Sequence, residues 1–237
     1  MGSRIAAEAP WLAEGEEKRR AVQGIFSDIA PRYDLLNSIL SFRLHYRWRK
    51  AAVRMLRARP GETALDLCCG TGDFMRALQH AGAKPLGLDF CASMLQVARA
   101  KGLSHLSQGD ACRMPIQSGT LDLVTVGWGI RNVADIDLAH REIVRVLKPG
   151  GRFVSLDTAL PSSKPLAAAS RFAFGVAAPL AGSLFGNRRA YTYLPRSTER
   201  FWGRNELAES MRRAGLEDVG WKDFFLGNVC AHYGRKP

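Results

Sequence analysis

An acidic residue followed by a glycine turn is the first pattern in this chain that indicates chemistry. Asp66 lies in a short apolar run, and the turn Gly70-Thr71-Gly72 follows before a helical stretch. Glycines at such a turn let backbone amides approach a ligand at the N-terminus of the next helix. A dinucleotide site requires a third glycine where this chain has Met75, so pyrophosphate binding is not predicted.

Polar residues also follow the next two apolar runs. An acid beside a glycine turn suits a ligand with an ammonium group and a ribose, such as S-adenosylmethionine, although an ordinary strand–helix turn has the same pattern. Asp89 stands where a carboxylate accepts hydrogen bonds from both ribose hydroxyls, or where it caps the following helix. Asp110 could contact an adenine amino group. The residues predicted to bind the cofactor in this part of the chain are Asp66, Gly70, Thr71, Gly72, Asp89, Phe90, Asp110 and Ala111.

These residues can form one site only if the strands before them end at the same edge of a sheet. The predicted strands are Thr63–Leu67, Pro85–Leu88, Leu103–Gln108, Leu121–Gly127 and Arg152–Asp157, and the helices between them are Asp73–His80, Ser93–Lys101 and Asp135–Leu147. This alternation indicates an α/β fold with a parallel sheet and right-handed crossovers. After a helix at Arg204–Ala214, the runs Asp218–Phe225 and Val229–Tyr233 are too close for a helical crossover and should pair antiparallel.

Length and composition indicate one domain with two basic regions. The 237 residues are 46% hydrophobic, which suffices for one sizeable core. We predict a flexible arm at 1–20 and a single domain at 21–237. Within that domain, two or three helices over 21–59, interrupted by Pro31, should cover the site. Residues 158–200 should form a second cover, over the substrate. The net charge is +12, and the segment Arg43–Arg59 holds seven basic residues and no acid. Thr158–Thr198 holds five basic residues and no acid.

Cysteine usage and apolar runs bear on the compartment. Five cysteines without a CxxC pair favour a reducing, cytosolic compartment, and the first 17 residues lack the apolar core of a signal peptide. Leu166–Phe185 has the length of a membrane span, but Arg171 and Pro179 favour a short apolar cover instead. No HxxH pattern or carboxylate cluster has metal-ligand spacing, so no metal is predicted.

Motifs of one enzyme family are spread over almost everything after Ala21. They are Phe26–Asn37 with Ser41-Phe42 and Trp48-Arg49-Lys50, Asp66–Asp73, Gly87–Phe90, Met94-Leu95, Gly109–Ala111, Gly129–Asn132, Arg145–Gly151, Tyr191–Pro195 and Gly227–Gly234. With them the chain resembles the ubiquinone/menaquinone biosynthesis C-methyltransferase family, which belongs to the class I S-adenosylmethionine-dependent methyltransferases. The resemblance implies a Rossmann-like, seven-stranded, mostly parallel sheet with an antiparallel last strand, helices on both faces and an N-terminal helical cover. It also implies cofactor contacts at Thr71, Asp89, Asp110 and Ala111.

The same resemblance implies methylation of a ring carbon of a prenylated quinol precursor. The Cys68-Cys69 pair resembles members that act on demethylmenaquinol, which is therefore the favoured substrate. Asp157–Pro161 replaces the usual Glu-Phe-Ser-Lys-Pro of the family and leaves another small apolar acceptor open. The basic run with its aromatic residues would also suit nucleic acid, but it suits an anionic bilayer better. We expect a cytoplasmic protein that contacts the membrane peripherally and binds no nucleic acid, and a homo-oligomer is left open.

Transfer to a ring carbon requires a phenolate, and the chain offers several residues to make one. Arg131 and Asn132 follow the fourth strand, where a guanidinium could stabilise a phenolate and an amide could orient a water or the substrate oxygen; a loop salt bridge is the alternative. Tyr33, Asp34 and His45 belong to the N-terminal helices. We predict Tyr33 beside the cofactor and Asp34 or His45 as a general base, with a surface histidine as the alternative for His45.

Overall fold

The computed structural model describes residues 12–13, 15–173, 193 and 196–237. Its helices are α1 (Gly15–Ile29), α2 (Tyr33–Leu40), α3 (Leu44–Met55), α4 (Asp73–His80), α5 (Ala92–Ala100), α6 (Ile136–Val146) and α7 (Arg204–Arg213). Its strands are β1 (Thr63–Leu67), β2 (Lys84–Asp89), β3 (Leu106–Gln108), β4 (Leu121–Gly127), β5 (Leu147–Thr158), β6 (Glu217–Phe224) and β7 (Val229–Arg235). Short 3₁₀ turns lie at Ala30–Arg32, Ile130–Asn132 and Phe225–Gly227.

The strands form one sheet in the order β3-β2-β1-β4-β5-β7-β6. The pairs from β3 to β5 are parallel, and β7 runs antiparallel to both of its neighbours. The predicted sheet and its antiparallel end are confirmed. Strand order reverses at β1, which pairs with both β2 and β4, and the carboxyl ends of these strands open a crevice for a ligand.

Two strands differ in length from their predicted ranges. β3 is shorter because His105 has a left-handed backbone, with φ +56°, and Leu103 packs into the core beside α5 instead of joining the sheet. β5 is longer because Leu147 already pairs with Leu121, directly where α6 ends. The other predicted strands and helices of the sheet region agree with the structure within two residues.

Helices cover both faces of the sheet, as predicted, because the side chains of each strand alternate between two cores. In β4, Val124 and Val126 belong to the core formed with α6 and α7, while Leu123 belongs to the core formed with α3 and α4. Gly72, the residue immediately before α4, has φ +85°, and a Cβ on it would lie 2.0 Å from Leu103 Cδ1, so this position requires glycine.

The N-terminal cover consists of α1, α2 and α3, with Pro31 in the 3₁₀ turn after α1. α1 begins at Gly15, inside the region predicted as a flexible arm, and Glu16 pairs there with Arg19 and Arg20 one turn further along the helix. Residues 15–20 are therefore helical, whereas residues 1–11 and 14 lie outside the described residues.

The predicted substrate cover is described only in part. Residues 164–173 are helical, and residues 174–192 and 194–195 of the segment lie outside the described residues. In the part of the chain that the structure describes, no helix is both long and apolar enough to cross a bilayer.

Candidate functional site

A cleft of about 660 Å³ lies at the carboxyl ends of β1, β2 and β4. The residues of the predicted cofactor set that line it are Tyr33, Gly70, Asp89, Phe90, Asp110 and Ala111. They come from the cover, from the β1–α4 turn and from the loops after β2 and β3. The strand-end pattern therefore locates five of these residues, far apart in sequence, in one cleft, and Tyr33 joins them from the cover.

Asp89 has a carboxylate whose two oxygens are already oriented by the backbone. Its Oδ2 accepts a hydrogen bond from the Gly70 amide at 2.7 Å, and its Oδ1 accepts one from the Cys91 amide at 2.8 Å. Each carboxylate oxygen has a second lone pair, so two acceptor positions are left for a ligand. Burial raises the pKa of Asp89 to about 6. Asp89 thus fixes the glycine turn and the start of α5, and it can still accept two hydroxyl hydrogen bonds.

Asp66 and Thr71 line a smaller cavity that continues the cleft past Gly70. Asp66 is buried, accepts hydrogen bonds from Thr125 Oγ1 at 3.1 Å and from the Met75 amide at 3.2 Å, and has a pKa that burial raises to about 8. Such a group gains from a cationic neighbour. Gly72 lines neither cavity, so its role is the close packing described above.

The two connected cavities fit the parts of S-adenosylmethionine. Met94 and Ala111 give the large cleft apolar walls for an adenine, Asp89 offers acceptors for the ribose hydroxyls, and Asp66 offers a negative charge for the ammonium group. The donor and acceptor types of these residues are therefore those that the cofactor needs.

A second, larger cavity of about 1150 Å³ lies under the N-terminal cover. Its walls are mostly apolar and aromatic, with residues from α1, α2 and α3 on one side and Phe225 and Val229 on the other. It shares Phe26, Tyr33 and Trp128 with the cofactor cleft. The two cavities therefore adjoin each other at these three residues.

Arg131 lines this apolar cavity and forms a buried ion pair with Asp157. Its Nη1 donates to Asp157 Oδ1, while Arg131 Nε and Asp157 Oδ2 have no hydrogen-bond partner among the described residues. Burial raises the pKa of Asp157, and the guanidinium opposes that rise. Arg131 therefore forms the loop salt bridge and also lines the apolar cavity, and its Nε has no acceptor among the described residues.

Asn132 lines the cofactor cleft and is held by two side-chain hydrogen bonds. Tyr193 Oη donates to Asn132 Oδ1 at 2.7 Å, and Asn132 Nδ2 donates to the Trp128 carbonyl at 3.0 Å. Asn132 therefore anchors Tyr193, a wall of the apolar cavity, to the loop after β4. The water or substrate contact of Asn132 stays a prediction.

The two candidate bases lie in different places. His45 is buried, lines the apolar cavity and has Nδ1 2.5 Å from Ser41 Oγ, so it is not a surface histidine. Burial and the nearby Arg49 charge lower its pKa to about 4, which keeps the imidazole neutral at pH 7. Asp34 instead accepts from Thr71 Oγ1 at 2.5 Å, lies 2.8 Å from Lys101 Nζ and lines neither the apolar cavity nor the cofactor cleft. Asp34 therefore links the cover to the glycine turn and lies outside both cavities, and its role as a base stays a prediction.

Several residues of the site were not among the predicted site residues. Phe26 and Trp128 stand between the two cavities, Asp157 pairs with Arg131, and Tyr193 closes the apolar cavity. Trp128 directly follows β4 and has φ +54°, so its place after a predicted strand was an available signal.

The chain matches the ubiE/COQ5 methyltransferase family over residues 13–236. A demethylmenaquinone methyltransferase of Bacillus cereus (strain ATCC 10987 / NRS 248) is 38% identical over 232 residues, which is 94% of this chain and 98% of that protein. A demethylmenaquinone methyltransferase of Bacillus anthracis (strain CDC 684 / NRRL 3495) is also 38% identical, with the same coverage.

Solved structures show the same fold at low sequence identity. A SAM-dependent methyltransferase from Thermotoga maritima has a TM-score of 0.66 at 21% identity and covers 90% of this chain and 99% of that one. A phosphoethanolamine N-methyltransferase from Haemonchus contortus, solved with S-adenosylhomocysteine, has a TM-score of 0.59 at 16% identity over 81% of this chain and 52% of that one. With its sheet, its cleft and its relatives, the chain belongs to the ubiE/COQ5 methyltransferase family and is an S-adenosylmethionine-dependent methyltransferase.

Proposed function

We propose that this enzyme methylates a ring carbon of demethylmenaquinol. The observation that carries the proposal is the apolar cavity beside the cofactor cleft, with the buried Arg131 in its wall. A prenylated naphthoquinol is apolar except for its two hydroxyls, so it needs apolar walls and one or two polar contacts. The Bacillus relatives named demethylmenaquinone methyltransferase favour this acceptor over other quinols.

In the proposed reaction, Arg131 and His45 make the acceptor nucleophilic. Bound S-adenosylmethionine would supply an electrophilic methyl group. The Arg131 guanidinium lowers the pKa of a quinol hydroxyl and stabilises the phenolate, and Asp157 keeps that guanidinium in place. The neutral His45 accepts the hydroxyl proton. Electron density from the phenolate makes the adjacent ring carbon nucleophilic toward the methyl group that the cofactor would supply, and the sulfur would depart as the neutral thioether of S-adenosylhomocysteine. The ring carbon then loses its proton to water, which restores the aromatic ring, and His45 returns its proton to the quinol oxygen.

An acceptor panel tests the proposed substrate. With labelled S-adenosylmethionine, kcat/KM should be highest for demethylmenaquinol and lower for benzoquinol precursors of the ubiquinone type and for small apolar phenols. A preference for one of the other acceptors would replace the proposed substrate while leaving the methyltransferase assignment in place.

Cofactor affinity is expected to rise between pH 6 and pH 8. Burial raises the pKa of Asp89 to about 6 and that of Asp66 to about 8, and each carboxyl must be ionised to hold its part of the cofactor. Protonation therefore competes with binding, so affinity falls as the pH falls through these values. Calorimetry with S-adenosylhomocysteine at pH 6, 7 and 8 measures the slope. In the Asp66→Asn variant, the affinity should change little above pH 7. Equal wild-type affinity at pH 6, 7 and 8 would contradict these roles.

We also propose that the enzyme contacts an anionic membrane surface from the cytoplasmic side, because its prenylated substrate resides in the membrane. The mouth of the apolar cavity carries the exposed Phe42 and Phe225, and the exposed Leu226 follows Phe225. Of the seven basic residues in Arg43–Arg59, six are exposed: Arg43, Arg47, Lys50, Arg54, Arg57 and Arg59. Apolar side chains beside basic ones are the two elements that peripheral membrane binding uses.

Replacing Phe42 and Leu226 with asparagine is expected to weaken binding to anionic vesicles at least tenfold. Both residues have left-handed backbones, with φ +49° and +56°, which asparagine tolerates, so the change removes apolar surface without adding strain. Full insertion of each side chain would contribute roughly 1.5–3 kcal/mol. Co-sedimentation at low and high salt should show wild-type binding that salt weakens but does not abolish, because salt screens only the charges. Wild-type enzyme that stays in the supernatant at low salt would refute the proposal.

A further inference from the structure

Arg49 differs from the other basic residues of α3 because its side chain is buried. It is 5% exposed and lines two cavities. One is the small cavity that Asp66 and Thr71 also line, and the other is the apolar cavity under the cover, which we call the acceptor cavity. Its guanidinium carbon lies 4.7 Å from the centre of the Trp128 ring. One residue of the helical cover thus extends a positive charge to the edge of the glycine turn.

The hydrogen bonds of Arg49 are incomplete. Its Nη1 lies 3.2 Å from Asp73 Oδ2, but neither atom makes a hydrogen bond of good geometry with a described residue. A guanidinium has five N–H donors, and a buried donor without an acceptor is costly. The pair with Asp73 therefore leaves donors of Arg49 for a ligand that supplies an anionic acceptor.

We propose that Arg49 binds the α-carboxylate at the methionyl end of S-adenosylmethionine. The amino-acid end of that cofactor carries a carboxylate and an ammonium group on one carbon. The wall of the small cavity holds Arg49 from the cover together with the carboxyl groups of Asp66 from β1 and Asp73 from α4. Arg49 is thus the group in this wall that can receive a carboxylate, and the two carboxyl groups can receive an ammonium group. A carboxylate accepts two parallel hydrogen bonds from a guanidinium, which is the acceptor arrangement that Arg49 lacks.

This contact links cofactor binding to the acceptor cavity. Arg49 lies on α3, which also carries His45, and both side chains are in the wall of the acceptor cavity. When Arg49 and the β1–α4 turn both contact the cofactor, the cofactor links the helical cover to the sheet. The inference rests on the cofactor and not on the identity of the acceptor, so it stands or fails independently of the proposed quinol substrate.

The test compares ligands that differ only at the amino-acid end. Calorimetry on Arg49→Met should show S-adenosylhomocysteine affinity about 10- to 100-fold below wild type, the loss expected for hydrogen bonds to a charged group. Affinity for 5′-methylthioadenosine, which has no amino-acid end, should stay within about twofold of wild type, whereas Arg49→Lys should retain part of the lost affinity. Arg141→Met, at an exposed position on α6 and away from the cover, is the matched control and should leave both affinities unchanged.

A second measurement uses the wild-type protein and does not depend on how well a variant folds. Wild type should bind decarboxylated S-adenosylmethionine, which keeps the ammonium group, more weakly than S-adenosylmethionine by a similar factor, and Arg49→Met should remove most of that difference. If Arg49→Met lowered the affinities for S-adenosylhomocysteine and for 5′-methylthioadenosine by the same factor, Arg49 would be a purely structural residue. Equal wild-type affinity for the two forms of S-adenosylmethionine would overturn the assignment outright.

Discussion

Replacing Arg131 with methionine is expected to lower kcat by about two to three orders of magnitude and to leave cofactor affinity nearly unchanged. Methionine keeps much of the length of the side chain but cannot stabilise a phenolate, and the loss of one such electrostatic contact in a buried site has this size. Arg131 lines the acceptor cavity, whereas the cofactor cleft does not include it. Single-turnover methyl transfer and calorimetry with S-adenosylhomocysteine measure the two effects separately.

The same substitution should also destabilise the protein, and a second variant separates the two consequences. Without Arg131, the Asp157 carboxylate is buried with no ion-pair partner, which costs about 3–5 kcal/mol when a buried pair is broken. Adding Asp157→Asn should recover most of that stability in a denaturant titration. The double variant should nevertheless remain as slow as Arg131→Met. Single-turnover transfer at the wild-type rate in either variant would show that the guanidinium has no part in the chemistry.

Replacing Asp89 with alanine is expected to weaken cofactor binding by roughly 10- to 150-fold, which corresponds to the about 1.5–3 kcal/mol of hydrogen bonds to a charged group. The loss combines two causes, because Asp89 offers acceptors to the ribose and also holds the Gly70 and Cys91 amides. Asp89→Asn keeps one oxygen acceptor without the charge, so its cofactor affinity should lie between that of Asp89→Ala and that of wild type. Calorimetry with S-adenosylhomocysteine measures all three proteins.

The control for this prediction is a carboxylate far from the cleft. Glu209 is exposed on α7 and pairs only with Arg212 one turn along the helix, among the ion pairs of the described residues. Glu209→Ala should therefore bind the cofactor like wild type. If Asp89→Ala did the same, Asp89 would be a cap of α5 and nothing more, which is the alternative that the sequence left open.

The sheet region was predictable because its signals are local. β1, β4 and α4 match their predicted ranges, since apolar runs of strand length and a helical repeat of apolar residues define them without reference to the rest of the chain. Asp89 and Asp110 were located correctly at the cleft for a related reason. Parallel strands bring their carboxyl ends to one edge whatever the loops do.

The side-chain partners were not predictable, because each joins residues that only the folded chain brings together. Arg131, in the turn after β4, pairs with Asp157 on β5. Tyr193 donates to Asn132 from the partly described cover, and Asp34 pairs with Lys101. No periodicity or turn signal encodes such pairs. The direction in which the cover helices face decided that His45, and not Asp34, lies in the acceptor cavity.

The most direct test of the proposed function is the position of the transferred methyl group. The enzyme is incubated with S-adenosylmethionine carrying a ¹³C-methyl group and with demethylmenaquinone, either oxidised or chemically reduced to the quinol. Carbon NMR should show the label on the ring carbon of the naphthoquinol in the reduced sample and no product in the oxidised one, because only the quinol has a hydroxyl for Arg131 and His45 to activate. Label on a quinol oxygen, or no transfer to the reduced acceptor, would contradict the account.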